Sequence, residues 1–101
     1  LPYALEELRG QCFRETLLEQ VTIPKNVNLI QGMAFVNCNK LNTVIFEPIT
    51  PPNNDEDGLI FSGTAKELKI YVPDQSIELY KVAKGFSAYA KIIYPSSSLT
   101  D

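Results

Sequence analysis

Val21-Thr22-Ile23-Pro24 is the stretch that decides the fold, because variants of it recur along the chain. Val44-Ile45-Phe46-Glu47 follows 23 residues later, and Ile70-Tyr71-Val72-Pro73 follows after another 26 residues. The first and third residues of each copy are apolar, which is the period-two pattern of a short strand with one buried face. Proline after a strand ends its ladder, because its nitrogen has no hydrogen to donate. The sequence therefore predicts short strands at regular spacing.

The residues between these strands also repeat. Four positions of a first unit match a second unit at a single offset of 22 residues: Pro2/Pro24, Leu5/Val27, Leu8/Ile30 and Phe13/Phe35. Repeats of about 20–29 residues are typical of leucine-rich repeats. One unit cannot bury its own apolar face, so stacked units share a core and pair their strands in parallel.

We therefore predict an α/β fold, a short right-handed leucine-rich-repeat solenoid with a parallel sheet of short strands. Brief helical turns at residues 10–13 and 32–35 should tuck Phe13 and Phe35 inward. The chain is interpreted as the C-terminal end of such a solenoid, so its last part should be a capping helix. The leucine-rich-repeat domain is expected over residues 1–95, with units at about 1–20, 21–43 and 44–70, a cap at 71–95, and a flexible tail at 96–101.

The capping helix is predicted from a segment without helix breakers, from Asp74 to Lys84. Ile77, Tyr80, Val82 and Ala83 form a loose helical stripe within it. We expect Asp74 or Ser76 to cap the N-terminus of the helix and Gly85 to end it. A last apolar patch and a short final strand should then follow, from these residues: Phe86, Tyr89, Ile92 and Ile93.

Composition argues against several classes of function. The net charge is −3 and the Lys and Arg residues are scattered, so nucleic-acid binding has little support. No apolar run approaches the roughly 20 residues of a membrane helix. With no His and two Cys, a zinc site is close to excluded. The sequence also offers few candidate catalytic residues, because it has no phosphate-binding loop and the serines at 96–98 have no base nearby in sequence. We predict a non-enzymatic protein without cofactor or metal.

Residues 51–58, Pro-Pro-Asn-Asn-Asp-Glu-Asp-Gly, indicate a surface loop inserted between repeats. Residues 53–57 offer oxygen ligands for Ca²⁺, but they lack the spacing and distal Glu of a calcium loop. A solvated insertion is therefore favoured over a cation site. Cys38 is expected to be a buried thiol that packs as a small hydrophobe. A Cys12–Cys38 disulfide is not expected, because the two lie out of register in adjacent coils.

The side chains that alternate with the buried strand positions define a candidate partner surface. These outward positions are Gln20/Thr22, Thr43/Ile45 and Lys69/Tyr71, and the predicted surface consists of Thr22, Thr43, Ile45, Lys69 and Tyr71. Ile45 and Tyr71 should lie side by side, and exposed apolar or aromatic patches often mark contact sites. The alternative is that they pack under a neighbouring domain.

The repeat resembles a known family. Val21-x-Ile23-Pro24, with Val27, Ile30, Gly32, Ala34-Phe35, Cys38, Leu41 and Val44, is similar to the repeat of BspA-like bacterial surface leucine-rich-repeat proteins. The later part of the chain resembles the closing unit of that family at Pro51-Pro52, Phe61-Ser62-Gly63, Leu68, Tyr71-Val72-Pro73 and Tyr80-Lys81. The first unit departs from the pattern, with Cys12 where Ala is usual and Leu8 where Ile is usual.

The resemblance implies secretion or surface display, an extracellular or cell-surface location, and no catalytic residues. The leading hypothesis is a non-catalytic protein-interaction or adhesion module whose sheet face or loops contact a host or matrix protein, or a glycan. The alternative is a structural C-terminal cap or spacer of a longer array, with no binding role of its own. A small hydrolase fragment is a third and weaker hypothesis. Self-association through an open N-terminal edge is also expected.

Overall fold

A computed structural model describes residues 7–8, 19–30, 35, 38–54, 61, 67–83 and 86–98. The strands are short: β1 Glu7–Leu8, β2 Gln20–Ile23, β3 Leu29–Ile30, β4 Thr43–Phe46, β5 Asn53–Asn54, β6 Lys69–Val72 and β7 Ile93–Pro95. The helical elements are an α-helix, α1, at Ile77–Val82 and 3-10 turns at Asp74–Ser76, Ser87–Ile92 and Ser96–Ser98. The structure therefore has the short strands and brief helical turns of a leucine-rich-repeat type α/β fold.

Every strand pair in the described residues is parallel, as the repeat predicts. One sheet has the order β2-β4-β6-β7, and its register places Val21 beside Val44 and Val44 beside Ile70. Equivalent residues of successive repeats are thus direct neighbours, which is what stacked units require.

A second parallel sheet, with the order β1-β3-β5, was not predicted from the sequence. It pairs Glu7–Leu8 with Leu29–Ile30, and Leu29–Ile30 with Asn53–Asn54. The loop predicted at residues 51–58 is therefore wrong at Asn53–Asn54, which form a strand tied in by a hydrogen bond from the Asn53 N–H to the Asn28 carbonyl (2.9 Å). Residues 55–58 of that loop lie outside the described residues.

The core lies behind the four-stranded sheet. Along β2, β4 and β6 the second and fourth residues are buried, which confirms the period-two prediction. The buried hydrophobic residues form one cluster: Val21, Ile23, Val27, Ile30, Phe35, Cys38, Leu41, Val44, Phe46, Phe61, Leu68, Ile70, Val72, Tyr80, Phe86 and Ile93. Phe35 and Cys38 are buried as expected. The helical turns predicted at residues 10–13 and 32–35 lie outside the described residues except for Phe35, and Cys12 lies outside them too.

Phe46 is the centre of an aromatic cluster that joins β4 to the segment following β6. Its ring centroid lies 5.5 Å from that of Tyr80, 5.3 Å from that of Phe86 and 6.4 Å from that of Phe61. The contacts with Phe86 and Phe61 are edge-to-face, an arrangement worth about 0.5–1.5 kcal/mol per pair beyond the burial of area. The cluster therefore fixes this segment against the end of the core.

The helix after β6 is shorter than predicted and is capped differently. Its first turn, Asp74–Ser76, is a 3-10 turn, and α1 covers only Ile77–Val82. Ser76 occupies the N-cap position, yet its hydroxyl donates to the Ile49 carbonyl instead of accepting a hydrogen bond from the helix. The Asp74 carboxylate accepts the N–H of Ser97 (3.1 Å). The predicted side-chain cap is thus wrong, and Gly85 lies outside the described residues.

A final strand is present, and β7 pairs in parallel with β6, but only Ile93 of the residues predicted to form it lies in that strand. Tyr89 and Ile92 lie in the preceding 3-10 turn. Residues 96–98, assigned from the sequence to a flexible tail, form a 3-10 turn in which the Ser96 hydroxyl donates to the Val72 carbonyl (2.8 Å). The limits of the domain and of its units remain predictions.

Candidate interaction surface

The outward side chains of the four-stranded sheet, here called the sheet face, form two rows across the strands. In one row Gln20 lies beside Thr43, which lies beside Lys69. The other row runs from Thr22 to Ile45, Tyr71 and Tyr94. The structure therefore brings all five predicted surface residues onto one face. Whether this face binds a partner remains a prediction.

Burial of the sheet face is graded. Gln20 and Lys69 are exposed. The remaining predicted positions are half-buried: Thr22, Thr43, Ile45 and Tyr71. Ile45 and Tyr71 are direct neighbours across β4 and β6, as the sequence predicts.

Tyr94 extends the row and was missed by the sequence analysis. Its side chain is 37% exposed, and its ring lies 5.9 Å from that of Tyr71 with the two planes inclined by 37°. The signal was available, since Ile93-Tyr94-Pro95 follows the apolar-Tyr-proline order of Ile70-Tyr71-Val72-Pro73 with one residue fewer. The two rings hold each other in place at one side of the sheet face.

A polar depression of about 390 Å³ lies at the amino ends of β4 and β6. Its lining side chains are Asn42, Thr43, Glu67, Lys69 and Tyr71. The Thr43 hydroxyl donates to the Asn42 side-chain oxygen (2.8 Å), and the Lys69 N–H donates to the Asn42 carbonyl (2.9 Å). Asn42 is thus fixed by its neighbours, which orients its amide at this end of the sheet face.

The opposite end of the sheet face opens into a groove of about 530 Å³ lined by Lys25, Ile45, Phe46, Glu47, Ile49, Pro73 and Ser96. A second groove of about 510 Å³, beside the 48–51 turn, shares Lys25 and Ile49 with it. Ile49 is 50% exposed although its carbonyl accepts the Ser76 hydroxyl. The groove end of the sheet face is therefore more apolar than the end that holds the polar depression.

Three titratable groups among the described residues have shifted pKa values. Burial raises the pKa of Tyr80, whose hydroxyl donates to the Pro48 carbonyl (2.7 Å). Burial also raises the pKa of Tyr89, whose hydroxyl accepts the Phe61 N–H (3.4 Å). Hydrogen bonds from Ser97 lower the pKa of Asp74. Each of these groups thus has a structural hydrogen-bond partner.

Within the described part of the chain, no three His, Cys, Asp or Glu side chains come together as metal ligands. None of the helices described there is long and apolar enough to span a bilayer. Residues 55–57 of the acidic segment, where a Ca²⁺ site was considered, are not among the described residues.

The chain belongs to the family of BspA type leucine rich repeat regions, whose model matches residues 6–97 in six copies. No curated protein matches the sequence. The parallel register of equivalent repeat positions agrees with this membership, and so does the resemblance found in the sequence. Leucine-rich repeats are generally non-enzymatic and present extended binding surfaces, so the family indicates a protein-interaction module.

Proposed function

We propose that this chain is a non-catalytic interaction module of the cell surface whose sheet face binds a protein partner. The observation that carries the proposal is the continuous row from Thr22 through Ile45 and Tyr71 to Tyr94, on the outer face of a parallel repeat sheet. Repeat proteins use such surfaces because each added unit enlarges the surface without changing its geometry. An extracellular location and a host or matrix partner are parts of this proposal.

The energetic centre of the surface is the Tyr71–Tyr94 pair. Aromatic side chains dominate interface hot spots, since they bury a large area and have few rotatable bonds. Tyr71 is half-buried between Ile45 and Tyr94, so its side chain has already lost part of its conformational freedom before a partner binds. The entropy that this side chain loses on binding is therefore smaller. Exposed Lys69 and Gln20 supply a polar rim, which is the usual surrounding of such a centre.

The test is binding of the purified chain to an array of extracellular-matrix and serum proteins, with and without the double change Tyr71→Ala and Ile45→Ser. Loss of a hot spot costs about 2 kcal/mol or more, which corresponds to roughly 30-fold weaker binding. The matched control is Leu79→Ala with Val82→Ala, because these α1 side chains are 51% and 76% exposed and lie outside the sheet face. Equal affinity of the sheet-face variant and the control would refute the proposal.

A structural role is the second candidate, and a different observation favours it. Tyr80 and Phe86 pack on Phe46, and the Ser76 and Tyr80 hydroxyls bond the carbonyls of Ile49 and Pro48. In this proposal the cap at residues 71–95 closes a right-handed solenoid and protects its core from water.

The two candidates differ in what the sheet face contributes. A purely structural cap predicts no partner for the isolated chain, with the sheet-face variant and wild type equally inert on the array. Self-association through the open N-terminal edge of the first unit is tested by sedimentation at several concentrations. A strictly monomeric chain would argue against it.

A further inference from the structure

We infer that the polar depression at the amino ends of β4 and β6 binds a neutral sugar residue, with Tyr71 as its stacking surface. This inference rests on the proposed interaction role of the sheet face and names the ligand chemistry of one end of it. The depression combines an aromatic ring with an amide, a hydroxyl, a carboxylate and an ammonium group within one site.

A pyranose ring is bound by polar groups and by an aromatic face together. Its hydroxyl groups act as donors and acceptors, whereas one face of the ring carries C–H groups. Glu67 supplies acceptor oxygens, Lys69 supplies N–H donors, and the Asn42 amide supplies further donors. Because the Thr43 hydroxyl donates to the Asn42 side-chain oxygen, the NH₂ group of that amide is held in a defined orientation.

Tyr71 is placed to supply the stacking contact. Tyr94 lies on its β7 side, while Asn42 and Thr43 lie on its β4 side, where the depression opens. The negative face of an aromatic ring attracts the weakly positive C–H groups of a sugar. A ring already held by Tyr94 loses little further freedom when a ligand stacks on it.

Charge and size select the class of sugar. The depression contains one carboxylate, Glu67, and one ammonium group, Lys69, so their charges offset each other. Sulfated or carboxylated glycans are instead recognised by clustered basic groups, and arginine is favoured there because it pairs with such anions through two hydrogen bonds. The volume of about 390 Å³ lies within the range of about 300–1,000 Å³ typical of small-molecule sites. The site is therefore suited to one or two neutral sugar units.

The test uses neutral gluco-, galacto- and manno-configured oligosaccharides on an array, followed by NMR titration of the ¹⁵N-labelled chain with those that bind. We expect amide shifts to concentrate at Asn42, Thr43, Lys69 and Tyr71. Tyr71→Ala should weaken binding at least about tenfold, equal to about 1.4 kcal/mol. Tyr71→Phe should bind nearly as wild type because it keeps the ring, and Leu79→Ala on α1 is the control that should change nothing.

Several results would overturn the inference. These are the absence of binding by any neutral oligosaccharide at millimolar concentration, shifts that fall outside the depression, and binding restricted to acidic glycans. If no sugar binds while protein binding still depends on Tyr71 and Ile45, the sugar site is wrong and the proposed function stands. If sugars bind at Tyr71 and no protein partner depends on the sheet face, the sugar site stands and the protein-binding proposal fails.

Discussion

Removing one oxygen atom, by Tyr80→Phe, tests how the segment after β6 is held to the core. The Tyr80 hydroxyl donates to the Pro48 carbonyl at 2.7 Å in buried surroundings. Phenylalanine keeps the ring that packs 5.5 Å from Phe46 and 5.3 Å from Phe86, so only the hydrogen bond is lost. A buried carbonyl deprived of its donor costs about 1–3 kcal/mol.

We take about 2 kcal/mol as the expected loss in the free energy of unfolding. A loss of 1 kcal/mol lowers Tm by roughly 4–8 °C in a domain of this size, so the melting temperature should fall by roughly 8–16 °C. Urea unfolding followed by circular dichroism gives the free energy directly, provided that the slope m is unchanged. The control is Tyr94→Phe, whose side chain is 37% exposed and whose loss should stay within about 0.5 kcal/mol.

Equal urea midpoints for Tyr80→Phe and wild type would refute the reasoning, because the bond to Pro48 would then contribute nothing net. A lower midpoint with a changed slope m would mean that the variant alters the compactness of the folded or the unfolded state, and not only one hydrogen bond.

Three further predictions concern the core, alkaline pH and acid pH. Phe46→Ala removes the centre of the aromatic cluster and should cost about 3–5 kcal/mol, measured by the same urea titration, whereas a loss below about 1 kcal/mol would contradict the packing described. Burial raises the pKa of Tyr80 above its ordinary 10.0, so the folded state retains a proton that the unfolded state loses. Stability should therefore be intact below about pH 10 and fall by up to about 1.4 kcal/mol per pH unit above it, with a smaller slope in Tyr80→Phe. Hydrogen bonds from Ser97 lower the pKa of Asp74 below its ordinary 3.8, so that link persists above this pH and is lost as pH falls through the lowered pKa. The Ser97 amide shift should titrate in that range in NMR spectra, and the absence of any titration would show that the link does not form.

The buried and outward positions of the long strands could be predicted from the sequence. Val21, Ile23, Val44 and Phe46 are apolar at a spacing of two, and burial on one face of a pleated strand demands that spacing. The parallel pairing followed from repetition, because units of similar length that wind the same way bring equivalent residues together. All five predicted surface residues could be placed for the same reason: Thr22, Thr43, Ile45, Lys69 and Tyr71.

The second sheet could not be predicted, because its strands are two residues long and carry no periodicity. Asn53–Asn54 is composed of a residue type that is depleted in strands, and its pairing with Leu29–Ile30 is imposed by the stacking of coils. Ser76 shows a related limit. Its sequence position suits an N-cap, but a tertiary acceptor, the Ile49 carbonyl, takes its hydroxyl.

The polar depression was beyond sequence reasoning as well. Asn42 and Glu67 lie outside the strands, so no alternation marks them, and only the register of Thr43 with Lys69 brings the two loops together. Tyr94, in contrast, followed the pattern of Tyr71 and was overlooked. The strand residues of the site can thus be predicted from the sequence, whereas the residues contributed by adjoining loops cannot.

The contacts of Ser76, Tyr80 and Phe86 with residues 46–49 have an evolutionary consequence. These contacts all reach back to a single coil, so further units added ahead of Thr43 would leave the closing contacts unchanged. Selection could then lengthen the array, and with it the recognition surface, without altering the closing part.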